Sequence, residues 1–384
     1  MPETTDVVII GAGPAGLTLA NLLQRNEISC VVLEARDRSY VEERQRAGVL
    51  DHYGGEIFAA AGLADAVIAG APREKFLELR YAGEPHFFDG PAHAGGRAGV
   101  IVPQQLLVRR LLGTFVDGGG DLRFAAAGVA LHDVTSKPRV TYAGGEIQAA
   151  YVAGCDGFHG VSRHSIPSTD YTFDHGIGWY TVLADAPPPR HALMGISEHG
   201  FAAQFGRGPT ASRFYLEYRP GAEDPRDWPD DYAWQQLRLR LGDPALPGGT
   251  ITDKEIVEMR SFVTEPMAYG NLFLAGDAAH IITPMGAKGM NLAVADADFL
   301  AKALIRALRG ADEAALRSYS DTCLRRTWDY QEFSRWFTEM VHDAGARSDP
   351  FRRRLAKARF DRLFRNEAAA AYFADMMAGT ASVE

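Results

Sequence analysis

The run GDAAHIITPMGAKGMN, residues 276–291, gathers Asp277, His280 and Lys288 among glycines and ends where an apolar helical stretch begins. It follows the short apolar strand pattern LFLA, so the chain turns at a strand end with little side-chain bulk. Free amides at a helix start favour negative charge, and small residues let a large polar ligand come close. The run therefore suits ligand binding better than core packing alone. A second run of the same character, GAGPAG, occupies residues 11–16. It stands between the buried-strand pattern DVVII and the helical pattern LTLANLLQRN, and a second strand, CVVL, runs into Glu34. That is the spacing of a dinucleotide-binding turn, with its acid about 20 residues on. Gly11 allows the tight turn, Gly13 lets the backbone approach a pyrophosphate, and Gly16, after Ala15, permits close helix–strand packing. Glu34 is placed to accept from ribose hydroxyls. A tight turn beside a solvent-facing acid is the alternative, and the motif leaves NAD and FAD equally open.

The elements that must position these runs imply an α/β (α+β) architecture. A Rossmann-like dinucleotide-binding part is expected over 1–170 and an antiparallel-sheet domain over 171–265. Completion of the first domain and a helical C-terminal region are expected over 266–384. GWYTVLAD, GFAAQFGR and SRFYLEYRP alternate as strands do, DYAWQQLRLRL reads as a helix, and the text beyond Met290 is helical, punctuated by Pro284 and Pro350. A chain of 384 residues exceeds one core's usual size. Its 46% hydrophobic and 23% charged residues are ordinary for a globular enzyme. Net charge of −9 argues against a nucleic-acid or anionic-membrane partner. Cys30, Cys155 and Cys323 have no metal-ligand spacing and no even pairing, so a reducing, cytoplasmic setting without a metal is expected. The opening MPETTDVVIIGAG has no basic leader, and no apolar run reaches membrane-spanning length.

Two further strings decide between the nucleotides. AGCDGFHGVSR carries Asp156-Gly157 after a strand, and Gly276-Asp277 ends another. Together with RAGVL, RSFVTEPM and LFLAGDAAHIITPMGAKGMNLA, they make the chain resemble the 4-hydroxybenzoate 3-hydroxylase family of single-component FAD-dependent aromatic monooxygenases, from Val7 to about Gly379. The resemblance implies FAD bound by Glu34, Arg46, Ala47, Gly48, Val49, Gln104, Asp156 and Asp277, and by the backbone of Gly286, Lys288, Gly289, Met290 and Asn291. Arg46 matches a pyrophosphate partner, since a planar guanidinium pairs oxyanions as a fork. Lys288 also reads as an exposed helix-start lysine. With no second GxGxxG, NADPH or NADH is expected in a surface cleft at Arg44, His159, Arg163 and Arg260. NADPH-preferring members carry an arginine directly after the ribose-binding acid; here Ala35 follows Glu34, which favours NADH or dual use. Family members are often homodimers.

The resemblance also implies a small aromatic acid and O2 as substrates. Arg207 and Tyr215 fall on the carboxylate-binding positions, Pro284 offers its peptide carbonyl to the para substituent, and Met285 adjoins it. Three positions depart from the family. Phe205 replaces a serine, Met194 and Met377 replace two phenol-ionising tyrosines, and the relay histidine aligns near Glu74. Methionine cannot ionise or relay a proton. An arylamine needs no deprotonation, so a 4-aminobenzoate-type substrate is expected, hydroxylated ortho to the para group. The alternatives are 4-hydroxybenzoate itself, a substituted hydroxybenzoate, decarboxylative hydroxylation, or a non-enzymatic flavin-binding module. No WxWxIP-type stretch supports a halogenase. Arg213 is expected to point to the opposite face or to the cofactor entry, and Arg352-Arg353-Arg354 to be a solvated face.

Overall fold

The computed structural model describes residues 3–43, 48–73, 76–222, 224–346 and 348–380. Two eight-stranded sheets carry the fold. The first runs in the order Ala268–Tyr269, Leu272–Leu274, Gly145–Gly154, Glu3–Ile10, Cys30–Leu33, Asp121–Arg123, with Ala130–His132 and Arg139–Tyr142 added beside Gly145–Gly154. Its central neighbours pair in parallel. Such strands are covered on both faces, which explains why VVII and VVL read as unbroken apolar runs rather than alternating ones. Val7, Val8, Ile9, Val32 and Leu33 are buried under the helices Pro14–Arg25, Gln104–Asp117 and Lys288–Gly310.

The second sheet runs His280–Ile281, Ile251–Glu265, Thr169–Ala184, Ser212–Tyr218, Gly200–Gly206, Ala192–Ser197, Phe76–Tyr81, Glu84–Asp89. The three segments read as strands are strands, joined antiparallel. The hairpin 76–89 lies within the stretch read as dinucleotide-binding, yet it pairs in parallel with Ala192–Ser197.

Register fixes which side chains share a face, because successive residues of a strand alternate. Leu79, Met194, Ala203, Tyr215 and Thr181 form one cross-strand row. Phe201, Phe205 and Trp179 lie on that same face, which packs against the C-terminal helices Ala314–His342, Pro350–Arg365 and Glu367–Ala378. The opposite face, with Tyr180, Val182, Leu193, Phe214 and Leu216, is closed by the helix Asp230–Leu241 through Ala233, Trp234, Leu237 and Leu241. Asp230 and Asp231 in its first turn and Arg238 and Arg240 in its last suit the helix dipole, and Gly242 ends it at φ 62°. One face of the sheet is thus ordinary core, and the other looks towards the strand ends of the first sheet.

Candidate active site

At the C-terminal ends of the parallel strands three backbone turns converge. In the first, a Cβ on Gly16 would stand 2.0 Å from the Gly11 carbonyl oxygen, and one on Gly11 would stand 2.4 Å from the Cys155 carbonyl oxygen. Beside Gly13 nothing lies within 4 Å, so the backbone faces open space where the ligand is expected. Helix Pro14–Arg25 has no side-chain cap. Glu34 is held at its strand end by Ala12 N–H and Arg36 N–H, each 2.8 Å from one carboxylate oxygen. Gly48 packs its backbone on the 102–104 segment, within 2.5 Å of the Gln104 nitrogen from a would-be Cβ, which joins Gly48 and Val49 to the start of helix Gln104–Asp117. Arg44, Arg46 and Ala47 lie outside the described residues.

In the second turn, Gly276 takes φ 64° and sits between Ala15 and Ala293, where helices Pro14–Arg25 and Lys288–Gly310 meet. Its N–H donates to Asp296 Oδ2 at 2.9 Å, and His280 Nε2 is 2.7 Å from the same oxygen. Burial alone would lower the His280 pKa, but Asp296 outweighs it and holds the imidazole above its usual value. Asp277, next in chain, is half-buried. Asp156 is turned inward: one carboxylate oxygen accepts from Val161 N–H, Ser162 N–H and the Ser162 hydroxyl, and the other is buried without a partner among the described residues. Burial raises its pKa.

The third turn, Pro284–Gly286, leads to helix Lys288–Gly310, which also lacks a side-chain cap. The backbone N–H groups of Lys288, Gly289, Met290 and Asn291 form its first turn, the place where an anion is favoured. Lys288 is 1% exposed. Its ammonium donates to Asp51 Oδ2 at 3.0 Å and to the Met377 carbonyl at 2.8 Å, which replaces the exposed-lysine reading. Asn291 donates to the Val49 and Ala287 carbonyls and accepts from Asp51 N–H. Asp51 thus ties three segments together, and a helix N-cap position is its only local signal.

On the second sheet, Arg207 closes its strand with its N–H on the Ala211 carbonyl. Its guanidinium reaches the Gly206 carbonyl at 3.4 Å, lies beside Tyr215, and forms no ion pair with a described residue. Burial lowers its pKa. Tyr215 stacks edge-on against Phe205, ring centroids 5.6 Å apart. Arg213 corrects an expectation: two residues from Tyr215, it shares that residue's face and is neutralised by Glu255 at 2.6 Å. Met194 and Met285 are buried in one apolar cluster, and Met377 packs against it. The Met377 sulfur lies 3.7 Å from where a Gly286 Cβ would be. Pro284 stands exposed between buried Thr283 and Met285, and its carbonyl accepts from Ala287 N–H at 3.0 Å, leaving one lone pair. Apart, near the start of Thr169–Ala184, Arg163 stacks between Phe158 and Phe262 with its charge centre 4.8 and 4.7 Å from the rings, Arg260 covers Phe158 at 4.3 Å, and exposed His159 adjoins them.

Residues 4–334 match the FAD binding domain family. The chain is 37% identical over 350 residues to the p-hydroxybenzoate hydroxylase of Acinetobacter baylyi, covering 88% of this chain and 86% of that protein. It belongs to this family of FAD-dependent aromatic monooxygenases. More distant relatives include the rifampicin monooxygenase of Rhodococcus hoagii, 29% identical over 76% of this chain and 62% of that one. Among solved structures, p-nitrophenol 4-monooxygenase from Pseudomonas putida superimposes with a TM-score of 0.85 at 19% identity, covering 99% and 100% of the two chains. A Pseudomonas aeruginosa structure in complex with 2-aminobenzoylacetate gives 0.79 at 23%, covering 94% and 100%.

The hydroxylase is therefore a flavoenzyme, and its residues fit FAD. Two uncapped helix N-termini, open space beside Gly13 and a half-buried Asp277 gather at the strand ends, the usual ligand position of such a sheet. Among the described residues no helix is long and apolar enough to cross a membrane, and no cluster of three metal-ligating side chains occurs.

Proposed function

We propose that this flavin hydroxylase acts on a para-substituted benzoate of the 4-aminobenzoate type, using O2 and NADH or NADPH. The observation that carries the reading is a polarity contrast. A half-buried guanidinium without a carboxylate partner among the described residues, Arg207, stands on the same sheet face as the methionine Met194, with Met377 against the same cluster. Arg207 and Tyr215 would hold the substrate carboxylate, since a fork donor in a desolvated site binds a carboxylate strongly. Phe205, Met194, Met285 and Met377 would exclude water around the ring. The free lone pair of the Pro284 carbonyl would accept a hydrogen from the para amine. FAD, which the residues at the strand ends would hold, supplies the oxygen chemistry when bound, and the uncapped start of helix Lys288–Gly310 would favour negative charge there. One oxygen atom ends on the ring carbon ortho to the para group, the other leaves as water, and the nicotinamide supplies two electrons.

The para amine follows from the methionines. A phenol must be ionised to become strongly nucleophilic, and lost general-base help costs about 10²–10⁴-fold. A neutral arylamine feeds its ring without losing a proton. The grouped Phe158, His159, Arg163 and Arg260 support a reductant cleft, and Ala35 favours NADH or dual use. Flavin difference spectra with para-substituted benzoates, then product mass and reductant stoichiometry, test the reading. Tightly coupled turnover of 4-hydroxybenzoate far above 4-aminobenzoate would overturn it. That outcome is the second reading, favoured by the 37% identity to p-hydroxybenzoate hydroxylase.

A further inference from the structure

Helix Ala314–His342 turns a polar stripe, not an apolar one, towards the segment that bears Pro284. Gln331, Ser334 and Thr338 follow at helical spacing and are 6%, 1% and 2% exposed. Gln331 Nε2 donates to the Ile281 carbonyl at 2.7 Å. Ser334 Oγ reaches the Thr283 carbonyl at 3.1 Å and the Met285 carbonyl at 3.0 Å. The carbonyls of alternate residues 281, 283 and 285 are thus all held by one helix face. The Thr283 hydroxyl, on a residue 1% exposed, joins the stripe through Ser334 Oγ and Thr338 Oγ1. Ile282 and Pro284 are the residues that this rail leaves out, and of the two only Pro284 is exposed.

The cluster offers two chemistries, a proton wire or a clamp, and proton counting separates them. Thr338 donates to the Ser334 carbonyl at 2.7 Å. Ser334 has one proton to share between two carbonyls, and the Thr283 proton stays within the cluster on either hydroxyl partner. His342, one turn further, uses both ring nitrogens, on the Thr338 carbonyl and on Trp179 Nε1. These bonds end on buried groups and none leads to solvent, so the cluster has no exit for a proton.

We infer that Ser334, Thr283, Thr338 and Gln331 are positioning residues. They form a rail that fixes the peptides on both sides of Pro284 and thereby aims its carbonyl at the para substituent of the substrate. This rests on the substrate reading above. Fixed aim matters because displacement of a reacting group by about 1 Å can cost up to ~10²-fold in rate. A misaimed ring leaves the reductant consumed without hydroxylation.

The test compares Ser334→Ala, the shape-preserving Thr283→Val, and Thr283→Ser, which keeps the hydroxyl. Each is purified with its flavin and assayed with 4-aminobenzoate for kcat, KM, and hydroxylated product per reductant oxidised against hydrogen peroxide formed. In Ser334→Ala and Thr283→Val, product per reductant is expected to fall about threefold or more and kcat for product about tenfold, with KM within about threefold. Thr283→Ser is expected to retain wild-type coupling, and the pH profile of kcat to stay unchanged in all three. Wild-type coupling in both hydroxyl-deleting variants overturns the inference. So does loss of flavin from both without uncoupling in the fraction that keeps it, which would assign the hydroxyls to folding. A shifted pH profile would make the cluster a proton relay and overturn it as well. If the wild type instead hydroxylates a different aromatic, the substrate reading fails alone, and the variant-to-wild-type ratios on that aromatic still judge the rail.

Discussion

Arg207 and Arg213 show how neighbouring residues of one type take different roles. Both lie low in exposure beside Tyr215, but Glu255 neutralises Arg213 and no described carboxylate does so for Arg207. A charge-assisted pair to a buried carboxylate contributes about 1.5–3 kcal/mol. Arg207→Lys keeps the charge and loses the fork, so KM for the benzoate should rise by roughly tenfold or more, and steady-state kinetics would show it. Arg213→Lys should change KM far less. The sequence picked out Arg207 only through the family resemblance. Arg213, expected on the opposite face or at the cofactor entry, has a two-residue spacing to Tyr215 that already implies a shared face. Its partner Glu255 lies on another strand that no local pattern points to. The same holds for Lys288, whose partner Asp51 is 237 positions away, so no local pattern could tell a buried ion pair from a surface lysine.

At the scale of elements, the glycine turn was the most legible part. Strand, GAGPAG, helix and strand recur as read, because each has its own period and its own punctuation. Gly16 shows the cost of changing it. A Cβ there would meet the Gly11 carbonyl oxygen at 2.0 Å, so Gly16→Ala must push helix Pro14–Arg25 away from its strand. Overpacking of this kind costs typically about 1–3 kcal/mol. The purified variant should carry much less FAD per chain, read from the ratio of flavin to protein absorbance; full occupancy would refute the close-packing argument. The hairpin 76–89 was less legible. Its turn is clear in RYAGEP, where Ala82 and Gly83 both take positive φ, but nothing in those residues says which sheet receives it. Sheet membership is decided by Ala192–Ser197, more than a hundred residues later.

For the molecule as a whole, buried imidazoles set how it responds to acid. His342 accepts from Trp179 Nε1 at 2.8 Å and donates from its other nitrogen to the Thr338 carbonyl at 2.9 Å, so it is folded in as the neutral ring. Burial is the main reason its pKa falls from 6.5 to about 3, against the pull of that carbonyl and with a further push from Arg219. His175, lowered to about 4 mainly by burial, acts in the same direction. At these two rings the unfolded state binds more protons than the folded one as pH falls below about 6.5, opposite in sign to His280 and Asp156, whose folded pKa values are raised. Stability from His342 is fully present above pH 6.5 and is lost as pH falls towards 3, with a slope of at most ~1.4 kcal/mol per pH unit. Denaturant unfolding at pH 7 and pH 5 should show this loss, and His342→Gln, which can keep both hydrogen bonds, should flatten it. A variant as acid-sensitive as the wild type would assign the loss to other groups.

The last described helix ends against the start of helix Lys288–Gly310. Lys288 grips the carbonyl of Met377, Arg326 contacts the carbonyl of Thr380, and Tyr330 accepts from Thr380 N–H. Trimming or fusing the polypeptide at that end would loosen the apolar cluster of Met194 and Met285, against which Met377 packs, as well as its own tail. Handles for purification or immobilisation belong at the opposite terminus, where Glu3 and Thr4 are exposed at the start of their strand.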